Sequence, residues 1–207
     1  MSEEFERSEA GGSEELDFPI ECGTLLECFL FDLRQPASRW GLFVRWFVEA
    51  RYRAVVSFRM TQLLRRRGWV LLARWLEHRA YRMSGAELHY EARIGPRIRL
   101  AHPNGVVIGA GVVIEPDVTI LQQVTLGGPG REVDSAGPRK PRVGRGANLY
   151  AGAKIIGPYR IGPGASVAAN AVVISDVPEG ALAAGVPARI IDRDRDRRDR
   201  EAPLPEE

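Results

Sequence analysis

Along the second half of the chain the apolar positions keep a fixed beat of six. Val143, Leu149, Ile155, Ile161, Val167 and Val173 each follow the last by six residues. Four residues after each comes a second inward candidate, usually small: Ala147, Ala153, Tyr159, Ala165, Ala171 and Val177. The same spacing runs through Ile108, Ile114, Ile120 and Leu126, with Val112, Val118 and Val124 between them, and earlier through Leu88, Ile94 and Leu100. Helices repeat near 3.6 residues, so a six-residue period is not helical. It is the mark of a solenoid whose stacked sides bury one continuous apolar column, a parallel β-helix. The fold class expected is mainly β.

The N-terminal part follows a different rule. From Cys22 to about Met83 apolar residues recur at spacings of three and four (Leu42, Phe43, Trp46, Tyr52, Val55, Val56, Met60, Leu63), with a break at Gly68. This predicts an α-helical region over 18–84 ahead of a β-helix over 85–191. Residues 1–17 are acidic and read as a disordered tail, and the alternating Asp/Arg run in 192–207 reads as a solvated one. The six-residue beat fails twice. Leu100 to Ile108 spans eight residues across His102-Pro103-Asn104-Gly105, and a long excursion over 127–142 separates Leu126 from Val143. Excursions from a rigid scaffold are where function collects, and the two are close enough along the solenoid to face one cleft.

Charge and composition narrow the partners. A formal net charge of +2 over 207 residues gives no footprint for nucleic acid. Two cysteines, Cys22 and Cys28, form neither a CxxC pair nor a disulfide framework, so a cytoplasmic location is expected. No apolar run approaches the roughly 20 residues that span a bilayer. The arginines of the helical region, including Arg65, Arg66 and Arg67, are compatible with an anionic membrane surface. The preferred reading is a helical cap whose arginines are solvated or pair with Glu49 and Glu77. Neither a metal cluster nor a cysteine nucleophile is apparent in the sequence.

Four ordered strings carry a resemblance: Ala101-His102-Pro103-Asn104-Gly105-Val106-Val107-Ile108-Gly109, Gln123-Val124-Thr125-Leu126-Gly127-Gly128, Ala151-Gly152-Ala153-Lys154-Ile155-Ile156-Gly157, and Gly185-Val186-Pro187-Ala188-Arg189. Together they resemble the serine O-acetyltransferase family of hexapeptide-repeat acyltransferases. The resemblance implies a left-handed parallel β-helix, a homotrimer, and acetyl-CoA as co-substrate in the groove between subunits, with no permanently bound cofactor. It aligns His102 with the family's general base and Glu87, fifteen residues earlier, with the carboxylate that orients it. Imidazole suits that task because it takes up and returns a proton near neutral pH. Gly127, Gly128, Ala151 and Ala153 resemble the wall along the pantetheine arm, and Lys154 and Arg189 match positions near the CoA phosphates.

The chain departs from the family at the acceptor end. The aspartate usual before the histidine is Ala101, and the loop's Arg-His-Pro-Lys is Arg139-Lys140-Pro141-Arg142, which leaves Arg139 and Lys140 as the acceptor-binding candidates. Losing a carboxylate and gaining a cation disfavours a substrate ammonium. The resemblance implies acetyl-CoA-dependent O-acetyl transfer to L-serine, in cysteine biosynthesis, and the departures make a sugar or polysaccharide hydroxyl the alternative acceptor. A non-catalytic solenoid is a third reading, opposed by retention of both His102 and Glu87. The chain ends in Pro-Glu-Glu rather than the isoleucine many relatives dock into cysteine synthase, so that complex is not expected.

Overall fold

The computed structural model describes residues 19, 22–32, 39–128 and 140–191. The acidic N-terminal segment, the 192–207 tail and most of the 127–142 excursion, Arg139 included, lie outside the described residues. Four helices come first: α1 (Leu25–Leu30), α2 (Arg39–Val48), α3 (Ala50–Arg66) and α4 (Val70–Ser84). Fifteen strands of two or three residues follow, between Glu87 and Ile191.

The strands stack into three parallel faces. The first holds β1 (Glu87–Leu88), β4 (Val107–Ile108), β7 (Thr125–Gly127), β10 (Lys154–Ile156) and β13 (Val172–Val173). The second holds β2 (Arg93–Ile94), β5 (Val113–Ile114), β8 (Arg142–Val143) and β11 (Arg160–Ile161). The third holds β3 (Arg99–Leu100), β6 (Thr119–Ile120), β9 (Asn148–Leu149), β12 (Ser166–Val167) and β14 (Leu182–Ala184), and β15 (Arg189–Ile191) closes it antiparallel to β14. The regular coil is eighteen residues, as Val107 to Thr125 and Lys154 to Val172 show. Across the His102 irregularity the coil lengthens to twenty, from Glu87 to Val107, and across the long excursion to twenty-nine, from Thr125 to Lys154. In both places the register is recovered, so the extra residues leave the scaffold at a corner and return to it.

The inward positions are those the six-residue beat names. Ile108, Ile114, Ile120, Leu126, Val143, Leu149, Ile155 and Val167 are fully buried, as are the small partners Ala147, Ala153, Ala165 and Ala171. Each large aliphatic contributes on the order of 1.5–3 kcal/mol by burial. Tyr159 is the exception among the small partners: it lies half-buried at the edge of the core.

The open end of the column is closed by α3. Ala54, Val55 and Phe58 join the same core as the first coils. The fully buried Arg59 spans the junction, donating from Nη1 to the Ile94 carbonyl and from Nη2 to the Gly95 carbonyl at 2.8 Å. Its charge is met by Asp32, at 3.0 Å from Nε, and Asp32 also accepts the Ile98 N–H. Gln62 Nε2 donates to the Tyr90 and Ala92 carbonyls, both at 3.1 Å. Unpaired carbonyls of a terminal coil invite a further strand, and here α3 occupies them with side-chain donors. Of the pairings expected for the arginines, Glu49 takes Arg45 and Arg51. Glu77 makes no ion pair among the described residues and lines a small cavity between α3, α4 and β1.

Candidate active site

His102 stands on the edge where the third face turns into the first. The corner before β4 is two residues longer than its neighbours, and this pushes His102 out of the column and leaves it exposed. The corners stacked beside it are tied coil to coil by backbone bonds: Gly105 N–H to the Gly85 carbonyl, Gln123 N–H to the Asn104 carbonyl, Gly152 N–H to the Gln122 carbonyl, and Asn170 N–H to the Ala151 carbonyl. Side-chain amides fill the steps. Asn104 sits over Gly85, the Gln123 side chain over Gly105, and Asn170 over Gly152. Gly152 has φ +74° and a Cβ there would lie 2.1 Å from Asn170 Oδ1, so a side chain at this position would be strained and would have to displace the Asn170 amide. The edge is a rigid, closely layered rail.

Glu87 lies one coil from His102 on β1, paired with Val107, and its side chain is exposed on the outward row of the first face. Neither Glu87 nor His102 has a side-chain hydrogen bond or ion pair among the described residues. His89 is occupied instead: its Nδ1 accepts the Glu91 N–H at 3.2 Å and its ring stacks on Tyr90. That makes His89 a turn-forming residue.

The outward row that starts with Glu87 continues through Val107 and Thr125 to Lys154 and Val172. Adjacent strands are about 4.8 Å apart, so Lys154 stands roughly 14 Å along the same face from Glu87, three strands on. Its ammonium donates to the Gln123 carbonyl, which leaves two of its three N–H groups for other acceptors. Arg189 is exposed on β15, near the end of the same edge: its neighbour Ala188 donates to the Val172 carbonyl of the first face. Ala151 is half-exposed between these residues.

Ala153 offers the site no side chain. Its side chain is fully buried in the column, its N–H bonds the Tyr150 carbonyl and its carbonyl accepts the Thr125 N–H. The six-residue beat, which already placed Ala153 inward, was the better guide than the motif around it.

Gly127, Gly128 and Lys140 lie on the opposite edge, where the first face turns into the second. A Cβ on Gly127 would meet open space, whereas one on Gly128 would lie 2.8 Å from Lys140 Nζ. One on Gly111 would lie 3.2 Å from Lys140 Cγ. The half-buried Lys140 stem therefore runs in a slot made by two glycines, and its ammonium has no hydrogen bond or ion pair among the described residues. Where the excursion rejoins the scaffold, Glu115 holds it by accepting from Arg142 at 3.0 Å and from the Arg145 N–H at 2.9 Å. His102 and the described ends of the long excursion thus lie on opposite edges of one face. Sequence reasoning also passed over Gln123, a residue with φ +60° that is neither Gly nor Asn, held over Gly105 and against Lys154. Its place inside a recognisable string was the available signal.

No family model matches the chain. Curated relatives do. The serine acetyltransferase of Haemophilus influenzae is 38% identical over 176 residues, 83% of this chain and 65% of that protein. The serine acetyltransferase of Escherichia coli is 41% identical over 140 residues, 68% of this chain and 50% of that protein. The chain thus spans half to just under two thirds of the length of these two relatives. Among solved structures, a serine acetyltransferase in complex with CoA matches with a TM-score of 0.68 at 37% identity, over 81% of this chain and 70% of the other. The soybean serine acetyltransferase apoenzyme matches with a TM-score of 0.69 at 34% identity, over 82% and 70%. With a left-handed parallel β-helix and these relatives, the chain belongs to the serine acetyltransferase family.

Proposed function

We propose that the protein transfers the acetyl group of acetyl-CoA to the hydroxyl of L-serine, giving O-acetylserine and CoA. The observation that carries the reading is His102, exposed and unpartnered on the layered edge of a serine acetyltransferase scaffold. Its imidazole takes the proton of the acceptor hydroxyl as the oxygen attacks the thioester carbonyl. When the tetrahedral intermediate collapses, the C–S bond breaks and the imidazolium returns that proton to the departing thiolate. Glu87, one coil away, is the carboxylate that would take the far ring nitrogen with the acceptor in place and stabilise the imidazolium as it forms. Acetyl-CoA lies along the same edge past Ala151, with the spare donors of Lys154 and the guanidinium of Arg189 meeting its phosphates.

The acceptor end needs a second copy. Lys140 and Gly128 stand on the far edge of the first face from His102. A cyclic homotrimer would bring the His102 edge of one copy against the loop edge of the next, with Arg139 and Lys140 facing the acceptor carboxylate. One solved relative carries the description of a complex with cysteine, an amino acid of the size and charge this cleft would take. A sugar hydroxyl remains the second reading, favoured by Ala101 beside His102 and by the unpaired Lys140 ammonium. The test is mass-spectrometric detection of acetylated product from acetyl-CoA with L-serine and with a panel of sugars. Acetylated serine alone supports the first reading. Acetylated sugar without acetylated serine sinks it.

A further inference from the structure

The helix α4 is poorly covered by the rest of the chain. Ala73 and Ser84 are its buried residues, with Leu76, Glu77 and Ala80 half-buried along the same stripe against α3. Everything around that stripe faces outward. Leu71 is 84% exposed, Trp69 61% and Trp75 59%, and Leu72 and Met83 are exposed beside them. An apolar set of this size on one helix marks an interaction surface.

Its charges say what kind. Arg74, Arg79 and Arg82 rise from the same outward surface, and His78 stands among them. None of the three arginines makes a hydrogen bond or ion pair among the described residues, although the Arg79 guanidinium lies 5.8 Å from the Trp75 ring centre. Glu77, the helix's one carboxylate, is turned inward toward Thr61, Tyr81 and Ser84. The outward surface is therefore aromatic, aliphatic and cationic, with no anion of its own. No helix of the described residues is long and apolar enough to cross a membrane, so any lipid contact lies on the surface.

We propose that α4 docks the protein on an anionic membrane surface. Trp69, Leu71, Leu72 and Trp75 enter the headgroup boundary, and Arg74, Arg79 and Arg82 reach back to lipid phosphates. A second copy across a twofold axis fits less well, because three arginines with no carboxylate beside them on the helix's outward surface would meet their own kind, and the cyclic arrangement proposed above uses the two edges of the first face instead.

Co-sedimentation of the full chain with phosphatidylcholine vesicles, with and without phosphatidylglycerol, tests this. The protein is expected to pellet with the anionic vesicles, to stay in solution with neutral ones, and to be released by high salt. Replacing Arg74, Arg79 and Arg82 together by Gln lowers partitioning roughly a hundredfold, about fivefold per charge. Trp75→Ala weakens it with every charge kept. The melting temperature of each variant confirms that it folds. Wild-type protein that ignores anionic vesicles, or a triple variant that binds them as well as wild type, overturns the proposal. So does a triple variant whose only change is a smaller assembly in light scattering, since the face would then join copies of the chain.

Discussion

Along the edge that carries His102, backbone bonds tie each corner to the next and an amide side chain lies over a glycine at three of the steps, with the His102 corner alone lengthened by two residues. Along the opposite edge of the same face the chain leaves the repeat after Gly127 and returns through Lys140, and the contacts there are a lysine stem in a glycine slot and the Glu115 clamp. The first edge holds positions rigidly and varies little from coil to coil. The second holds one cation that little else constrains. Proton transfer needs the first kind of support, because a base displaced by an ångström loses most of its rate. Acceptor choice tolerates the second kind, and a loop is where specificity changes at small cost to the scaffold.

Variants on each edge sharpen that contrast. Glu87→Gln, on the rigid edge, is expected to lower kcat roughly tenfold to a hundredfold with the KM values for both substrates near wild type. Steady-state kinetics check this, and a loss confined to KM would make Glu87 a binding residue. Lys140→Ala, on the loop edge, is expected to raise the acceptor KM about tenfold and to leave kcat within a factor of about two. A fall in kcat instead would place the lysine in the chemistry. Gly128→Ala has the smallest effect. A Cβ there displaces the Lys140 ammonium but keeps its charge, so the acceptor KM should rise roughly two- to threefold. No change at all would mean that the slot does not aim the lysine.

The solenoid was legible because its signal is repeated. Each inward aliphatic from Ile108 to Val173 is one sample of the same six-residue rule, and a single odd residue such as Tyr159 does not break it. The His102 corner was legible for the opposite reason, as a two-residue fault in that rule. Arg59 was not legible. It sits in a run of arginines on an amphipathic helix, and the carbonyls of Ile94 and Gly95 that bury it come from a distant part of the chain. The sequence spacing counts coils along the axis without saying which corner each irregularity occupies, and their described residues, His102 and Lys140, fall on opposite edges of the first face. Ala153 shows the same limit from the other side: its motif suggested a ligand wall, and its register put it in the core.

The central claim is that His102 is the base of an acetyl transfer. It is tested most directly by the rate of CoA release at saturating acetyl-CoA and L-serine, for wild type and His102→Ala. The imidazole is exposed and has no side-chain partner among the described residues, so the melting temperature should not move. The account predicts a fall in kcat of roughly a thousandfold. A variant that turns over within about tenfold of wild type would contradict it.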